Sequence, residues 1–289
     1  MVHVRPIEAA LGAEILDVDL ETLGDGPELR DILAAAYRHQ VIVLRNQTLS
    51  PDRFVRFSRC FGRPQPHIAD HLRHPEHPEI LFLSNIFENG EPKGIYDGAA
   101  YWHSDMAYEE EPGASTLVYS LQAPNEGGET RFANLAAAYE ALPQAMKDRI
   151  DGLTVLHHYG NRSDLQDSSR TSATPLSAEQ RKKVKNVFHP LVMIHPVTGR
   201  KSLYAVSGCS FGIVGMPDDE AIDLLDELKD FSTQARFVYS HRYEVGDLVV
   251  WDNLSTMHSA TLVPPATSPE TSRLLHRISV KGGPNISLH

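Results

Sequence analysis

Apolar residues change their spacing along this chain, and the changes mark out its elements. In "PELRDILAAAYRHQ" (27–40) they recur every three or four positions, which predicts an amphipathic helix with Pro27 in its first turn. "VIVLR" (41–45) is continuously apolar and predicts a short buried strand. "SPDRFVRFSRCFG" (50–62) reads as a complete helix, capped by Ser50, opened by Pro51 and closed by Gly62. "EILFLSN" and "ASTLVYSLQAP" predict strands, and "EGGETRFAN" is a glycine-marked turn leading into another. Asn134 then caps "LAAAYEAL", and Pro143 opens a second short helix that ends at Gly152.

The second half is richer in strands: "LTVLHHYG", "FHPLVMIHP", "KSLYAVS", "ARFVYSHRYE", "DLVVWDN" and "SRLLHRISVKG". Thr198-Gly199 and Val245-Gly246 mark turns between pairs of them. One clear amphipathic helix, "DDEAIDLLDELKDFS", lies among these strands. Many strands with helices outside them predict a mainly β fold, a barrel or jelly roll, and not a doubly wound sheet. Residues 1–289 are read as one domain. The stretch 162–186 has few apolar residues to anchor it. It is expected to be mobile, either as a surface excursion or as an active-site lid.

Composition narrows the choice of partner. A net charge of −11 argues against nucleic acid and against adhesion to anionic membranes, since both need a basic face. A small anionic substrate remains compatible where local arginines overcome the global field. The two cysteines, Cys60 and Cys209, provide neither a disulfide framework nor zinc-ribbon spacing, and Cys60 is expected to be a buried thiol. No signal-peptide pattern and no apolar run of membrane-spanning length is present, so a cytoplasmic location is expected. A homo-oligomer is compatible with all of this.

The candidate chemistry begins at "YWHSDMAY" (101–108). On an extended segment alternate residues share a side, so His103 and Asp105 would project together. One imidazole and one carboxylate make two parts of the two-histidine, one-carboxylate face that suits non-haem Fe(II). A solvated polar loop would read the same way. The third ligand must come from elsewhere, and His258 in "DLVVWDNLSTMHSA" is the best placed, because an apolar strand delivers it. Arg273 and Arg277 follow in "SRLLHRISVKG". Four apart on a strand, they would share one face, either towards anions inside or towards solvent. The histidines at 71, 74 and 77 are read as a solvated loop, and His157, His158, His189 and His195 as strand residues, some of them hydrogen-bonded structural residues of the core.

Jointly these features resemble the taurine dioxygenase and dichlorophenoxyacetate dioxygenase (TauD/TfdA) family of Fe(II)/2-oxoglutarate-dependent dioxygenases, over nearly the whole chain. "YWHSDMAY" resembles the family's W-H-x-D segment, "PNEGGETRFANLAAAYEAL" its G-G-[DE]-T stretch and helix, and "HPLVMIHPVTGRKSLY" its central hairpin. "GDLVVWDNLSTMHSA" followed by "RLLHR" resembles its C-terminal signature.

The resemblance implies that His103, Asp105 and His258 are catalytic iron ligands. Thr130 and Arg273 would hold the distal carboxylate of 2-oxoglutarate, with Arg277 near its other carboxylate and the substrate anion. Trp251 would line the site, and His67 falls near a substrate-contacting histidine. Ala99 stands where the taurine enzyme has an asparagine, which counts against taurine itself; Met193 stands where an arginine is frequent. The implied fold is a double-stranded β-helix, a cupin-like jelly roll with flanking helices. The implied cofactors are Fe(II), 2-oxoglutarate as cosubstrate and O2. The implied reaction is hydroxylation of a small, anionic organic substrate with release of succinate and CO2. A neutral natural-product substrate, with desaturation or ring formation, is the alternative. From other classes, a zinc hydrolase or a non-catalytic cupin-like binding protein would also use such a ligand set.

Overall fold

The computed structural model describes residues 2–67, 70–96, 100–159 and 184–284. Its spine is an eight-stranded sheet. At its centre Leu248–Asp252 lies between Val41–Leu44 and Gly113–Gln122, and Leu274–Lys281 pairs with the far side of Gly113–Gln122. His3–Pro6 and Ala13–Leu16 extend it on one side, and the short strands Arg63–Gln65 and Leu81–Ser84 on the other. All pairings are antiparallel except that of Ala13–Leu16 with Val41–Leu44.

Register fixes which side chains look inward. Trp251, Thr116 and Ser279 lie in one row across the central strands, and Val249, Val118 and Arg277 in the next. Their alternates, among them Leu117, Tyr119, Val250, Ile278 and Val280, pack beneath the helices Pro27–His39 and Pro51–Ser58. The expected caps form: Ser50 accepts from the amide of Arg53, and Asn134 from that of Ala137. Each is worth roughly 1 kcal/mol. The second helix stops at Ser58, a turn earlier than the sequence suggests.

The inner face meets a three-stranded sheet, Val238–His241, Thr130–Asn134 and Thr256–Ala260, across a core that includes Val118, Phe132, Val249 and Trp251. Behind this small sheet, the helices Leu135–Ala141 and Asp218–Ser232 bury Leu135, Leu224, Leu225 and Leu228. Three further strands, Thr154–His157, Val187–Pro190 and Ser210–Ile213, form their own sheet.

The fold expectation needs correcting. A mainly β architecture with flanking helices is present, but among the described residues no sheet closes into a barrel, as a double-stranded β-helix or cupin-like jelly roll would require. The pairing stops at His3–Pro6 on one edge and at the short strands on the other, and the small sheet keeps its own edges. Strand count does not report this, because closure depends on hydrogen bonds between segments far apart in sequence. The same applies to Val245-Gly246. This turn joins no hairpin; it carries the chain from the small sheet, at Val238–His241, to the large one, at Leu248–Asp252. Thr198-Gly199 does close a hairpin, between Val192–Ile194 and Lys201–Leu203. Cys60 is half-buried rather than buried, and neither cysteine is in a disulfide. Among the described residues no helix is long and apolar enough to cross a membrane.

His157 makes the core acid-sensitive. It is fully buried, with neither ring nitrogen hydrogen-bonded among the described residues, and burial, then nearby His189, push its pKa down to about 3. The folded value lies below the unfolded one of about 6.5, so folding favours the neutral ring. Its contribution is complete above pH 6.5 and is lost as pH falls from there towards 3, by up to ~1.4 kcal/mol per pH unit. Urea unfolding midpoints should therefore drop below pH 6.5, and His157→Gln should flatten that slope. An unchanged slope in the variant would place the sensitivity elsewhere.

Candidate active site

Two distant segments meet in a single antiparallel bridge. The amide of His103 donates to the carbonyl of His258 at 3.0 Å, and the amide of His258 to the carbonyl of His103 at 2.8 Å. This sets the two imidazoles with ring centroids 4.2 Å apart. His103 is extended only at that bridge, yet the alternation holds: Ser104 turns away and donates to the carbonyl of Thr256. Asp105 then opens a turn, with its oxygens 3.6 Å from Nε2 of His103 and 3.6 Å from Nε2 of His258. Among the described residues, His103, Asp105 and His258 are the one group of three His, Cys, Asp or Glu side chains arranged to hold a metal ion. The histidines at 71, 74 and 77 do not form such a group; His74 Nδ1 accepts the amides of Glu76 and His77 instead.

The protonation states suit a metal. Nδ1 of His103 faces the carbonyl of Tyr101 at 2.9 Å, which requires a proton there, so Nε2 is the nitrogen that would offer its lone pair to a metal. Burial, then the neighbouring His103, hold the pKa of His258 well below its usual value, so its ring is neutral. Burial would raise the pKa of Asp105, but Arg277, His258 and His103 together hold it well below the carboxylate range. Arg277 reaches Asp105 Oδ1 at 2.6 Å.

Asp105 has a support that sequence reading missed. Thr116 donates its hydroxyl to Oδ2 at 2.7 Å, Asn253 donates to Thr116 at 3.0 Å, and the Trp251 indole donates to Asn253 at 2.9 Å. The signal was weak: a threonine on an alternating strand and an asparagine two residues after a tryptophan. Trp251 itself is 3% exposed and packs its ring 4.8 Å from His258. It sits behind the ligand, among core residues.

The other expected residues fall around this centre. Arg277 and His67 both line a cavity of about 670 Å³, together with Met106, Tyr108, Tyr159 and Lys281. Burial, then Arg277, lower the pKa of His67 to about 4. Thr130 and Arg273 are buried, at 5% and 6% exposure, and Arg273 precedes the register shift that opens the last strand. Its Nε has no hydrogen-bond partner among the described residues. Val184 and Lys185, at the end of the expected lid, line the cavity; residues 162–183 and Ala99 lie outside the described residues. Met193 packs near Ala107, Tyr204, Ala205 and Leu254.

Comparison with known proteins agrees with this geometry. The model for "Taurine catabolism dioxygenase TauD, TfdA family" matches residues 3–279. The chain belongs to that family. This TauD/TfdA dioxygenase is 31% identical over 267 residues to the alpha-ketoglutarate-dependent 2,4-dichlorophenoxyacetate dioxygenase of Cupriavidus pinatubonensis, covering 89% of this chain and 91% of the relative. It is 31% identical over 273 residues to pentalenolactone F synthase of Streptomyces arenae, covering 91% of each. Among solved structures it resembles that of AAD-2 in complex with Mn(II) and N-oxalylglycine, with a TM-score of 0.79, 26% identity and 99% of both chains covered. It also resembles a taurine dioxygenase from Burkholderia xenovorans, with a TM-score of 0.77, 30% identity and coverage of 98% and 92%. The protein is an oxidoreductase that depends on Fe(II), 2-oxoglutarate and O2.

His103→Ala, Asp105→Ala and His258→Ala should each abolish Fe(II) binding and turnover while leaving the fold intact by circular dichroism. Full activity in the His258 variant would reject it as the third ligand. Thr116→Val should weaken metal binding by about tenfold or more, the usual cost of losing a partner of a ligand. A metal titration within error of the wild type would show Thr116 to be idle.

Proposed function

We propose that this dioxygenase hydroxylates a small organic anion, with Arg277 as the residue that receives the anionic group. The observation that carries the reading is the position of Arg277: its guanidinium contacts Asp105 and also forms part of the cavity wall beside His67 and Tyr108. A chain of net charge −11 offers an anion little attraction except at such a point. Lys281, on the same strand face, also lines the cavity but is paired with Glu109 at 3.4 Å, and Glu79, Glu109, Glu110 and Glu111 line it too, so Arg277 is the cation nearest the metal site.

The donor set fits the expected groups. Two imidazoles and one carboxylate match the facial arrangement of non-haem Fe(II), with positions left for other ligands. Arg273 fits a dicarboxylic cosubstrate, because a buried guanidinium with an unbonded Nε is costly unless an anion meets it. We read Thr130 and Arg273 as the anchors of the distal carboxylate of 2-oxoglutarate. When bound, iron and cosubstrate together supply the activation of O2 and the oxidising power, with succinate and CO2 as products.

The protein's own part is placement. His103 and His258 present Nε2 lone pairs, and the Tyr101 carbonyl fixes which nitrogen of His103 is free. Thr116 holds one oxygen of Asp105, which favours one-oxygen binding to metal by the other. Arg277 would turn from Asp105 to the substrate anion, setting the oxidised carbon a few bonds from that group. His67, held neutral by burial, would offer a hydrogen bond at the cavity wall without adding charge. We read residues 1–289 as one catalytic domain that carries all of these groups.

A panel of acids, each paired with its amide, should be scored by succinate release and O2 uptake with Fe(II). The acids should be preferred, and Arg277→Gln should raise their apparent KM by about tenfold or more, the worth of a charge-assisted hydrogen bond. The same variant should change 2-oxoglutarate affinity far less. If amides turn over as well as acids, or only 2-oxoglutarate affinity falls, the substrate is neutral and the anionic reading is lost.

A further inference from the structure

Tyr243 lies in the connection that follows the Val238–His241 strand, and nothing above gives its hydroxyl a task. The side chain is buried, at 5% exposure, with its ring 4.8 Å from that of His241 and edge-on to it. Its hydroxyl lies 3.1 Å from Oγ1 of Thr130. Arg273 runs close to the same place. A methyl built onto Gly128, two residues before Thr130, would sit 3.3 Å from Cδ and 3.5 Å from Nε of Arg273. A side chain there would press the arginine stem by a few tenths of an ångström, and the φ of +76° is one that suits glycine.

These side chains make a buried cluster of donors with too few acceptors. Arginine carries five N–H groups and accepts nothing, and each hydroxyl has one proton to give. The Thr130–Tyr243 contact uses one of the two hydroxyl protons and leaves the other free. Packing alone would be served by phenylalanine, since the ring of Tyr243 already sits among Val41, Phe132 and Leu275 in the core. The Tyr243 hydroxyl is near enough to Arg273 for each to shift the other electrostatically, and Nε of Arg273 has no partner among the described residues; an anion with two oxygens arriving there would meet both.

We propose that Tyr243 is a third anchor for the distal carboxylate of 2-oxoglutarate, acting with Thr130 and Arg273 to select a dicarboxylic over a monocarboxylic 2-oxo acid. The inference rests on the cosubstrate reading above and extends it to a residue that the sequence did not single out. Burial raises the pKa of Tyr243, so the hydroxyl keeps its proton and remains a donor throughout the working range. In the network behind it, Oδ2 of Asp247 accepts from Arg45 and faces His241, which in turn meets the Tyr239 hydroxyl; Oδ1 of Asp247 has no partner among the described residues, and the hydroxyl of Tyr243 faces Thr130 instead.

The test is calorimetric titration of the Mn(II)-loaded protein, which needs no turnover. Wild type, Tyr243→Phe, Thr130→Val and the double variant are each titrated with 2-oxoglutarate and with 2-oxobutyrate, which lacks the distal carboxylate. Tyr243→Phe should weaken 2-oxoglutarate binding by about tenfold and leave 2-oxobutyrate unchanged. The double variant should lose less than the product of the single losses, because the two hydroxyls act together. A Kd for 2-oxoglutarate within about twofold of wild type in Tyr243→Phe overturns the proposal, leaving the cosubstrate reading standing. Equal weakening of both acids also overturns it, by reducing Tyr243 to a packing role. If the wild type binds 2-oxoglutarate no better than 2-oxobutyrate, the cosubstrate reading falls and this proposal falls with it.

Discussion

The backbone bridge between His103 and His258 is the contact on which the rest of the site depends. It consists of two reciprocal amide–carbonyl hydrogen bonds between segments that share no longer strand pairing. Because it joins backbones, it fixes the positions of the two Cα atoms from which the imidazoles reach. Its surroundings are cleared for it. Gly208 stands where a Cβ would come within 2.7 Å of Cβ of His103, and Gly113 where one would come within 2.8 Å of the Asp105 carbonyl. Strand Thr256–Ala260 is held from the other side by Thr130–Asn134, so the position of His258 is inherited from the small sheet.

Charge buried at this junction is the second constraint. Asp105 is 4% exposed and would be costly there alone, yet Arg277, both histidines and the Thr116 hydroxyl converge on it. Arg273 is also buried, and its Nε has no hydrogen-bond partner among the described residues. The carboxylate of Asp105 thus meets its partners within the chain, while one nitrogen of the Arg273 guanidinium does not among the described residues.

The open arrangement of the sheets serves the same end. The central strands put their apolar outer face beneath the two N-terminal helices and reserve the inner face for Thr116, Trp251, Arg277 and Ser279. With neither sheet closed upon itself, the inner face fills with packed side chains around Phe132 at one level and opens to the cavity at another. A site built on strands in this way is stiff where ligands are held, while its rim, with Tyr159 and Lys185, comes from connecting segments.

By itself the sequence determined the elements and the type of chemistry. Local rules sufficed for the helix caps at Ser50 and Asn134, the helix Asp218–Ser232 and the alternation that turns Ser104 away from His103 and Asp105. Five ordered motifs resembling one family carried the ligand set and the cofactors. Tertiary structure alone decided how strands pair, because register and closure depend on hydrogen bonds between remote segments; a barrel was expected and open sheets formed. It also decided the second tier of the site. Thr116, Asn253 and Tyr243 are ordinary residues by local pattern, and they acquire roles only because cross-strand register sets Thr116 beside Trp251 and Ser279, and because folding brings Tyr243 to Thr130. Trp251, expected at the site's lining, was moved behind His258 by the same register, since the pleat gives each side chain one face only.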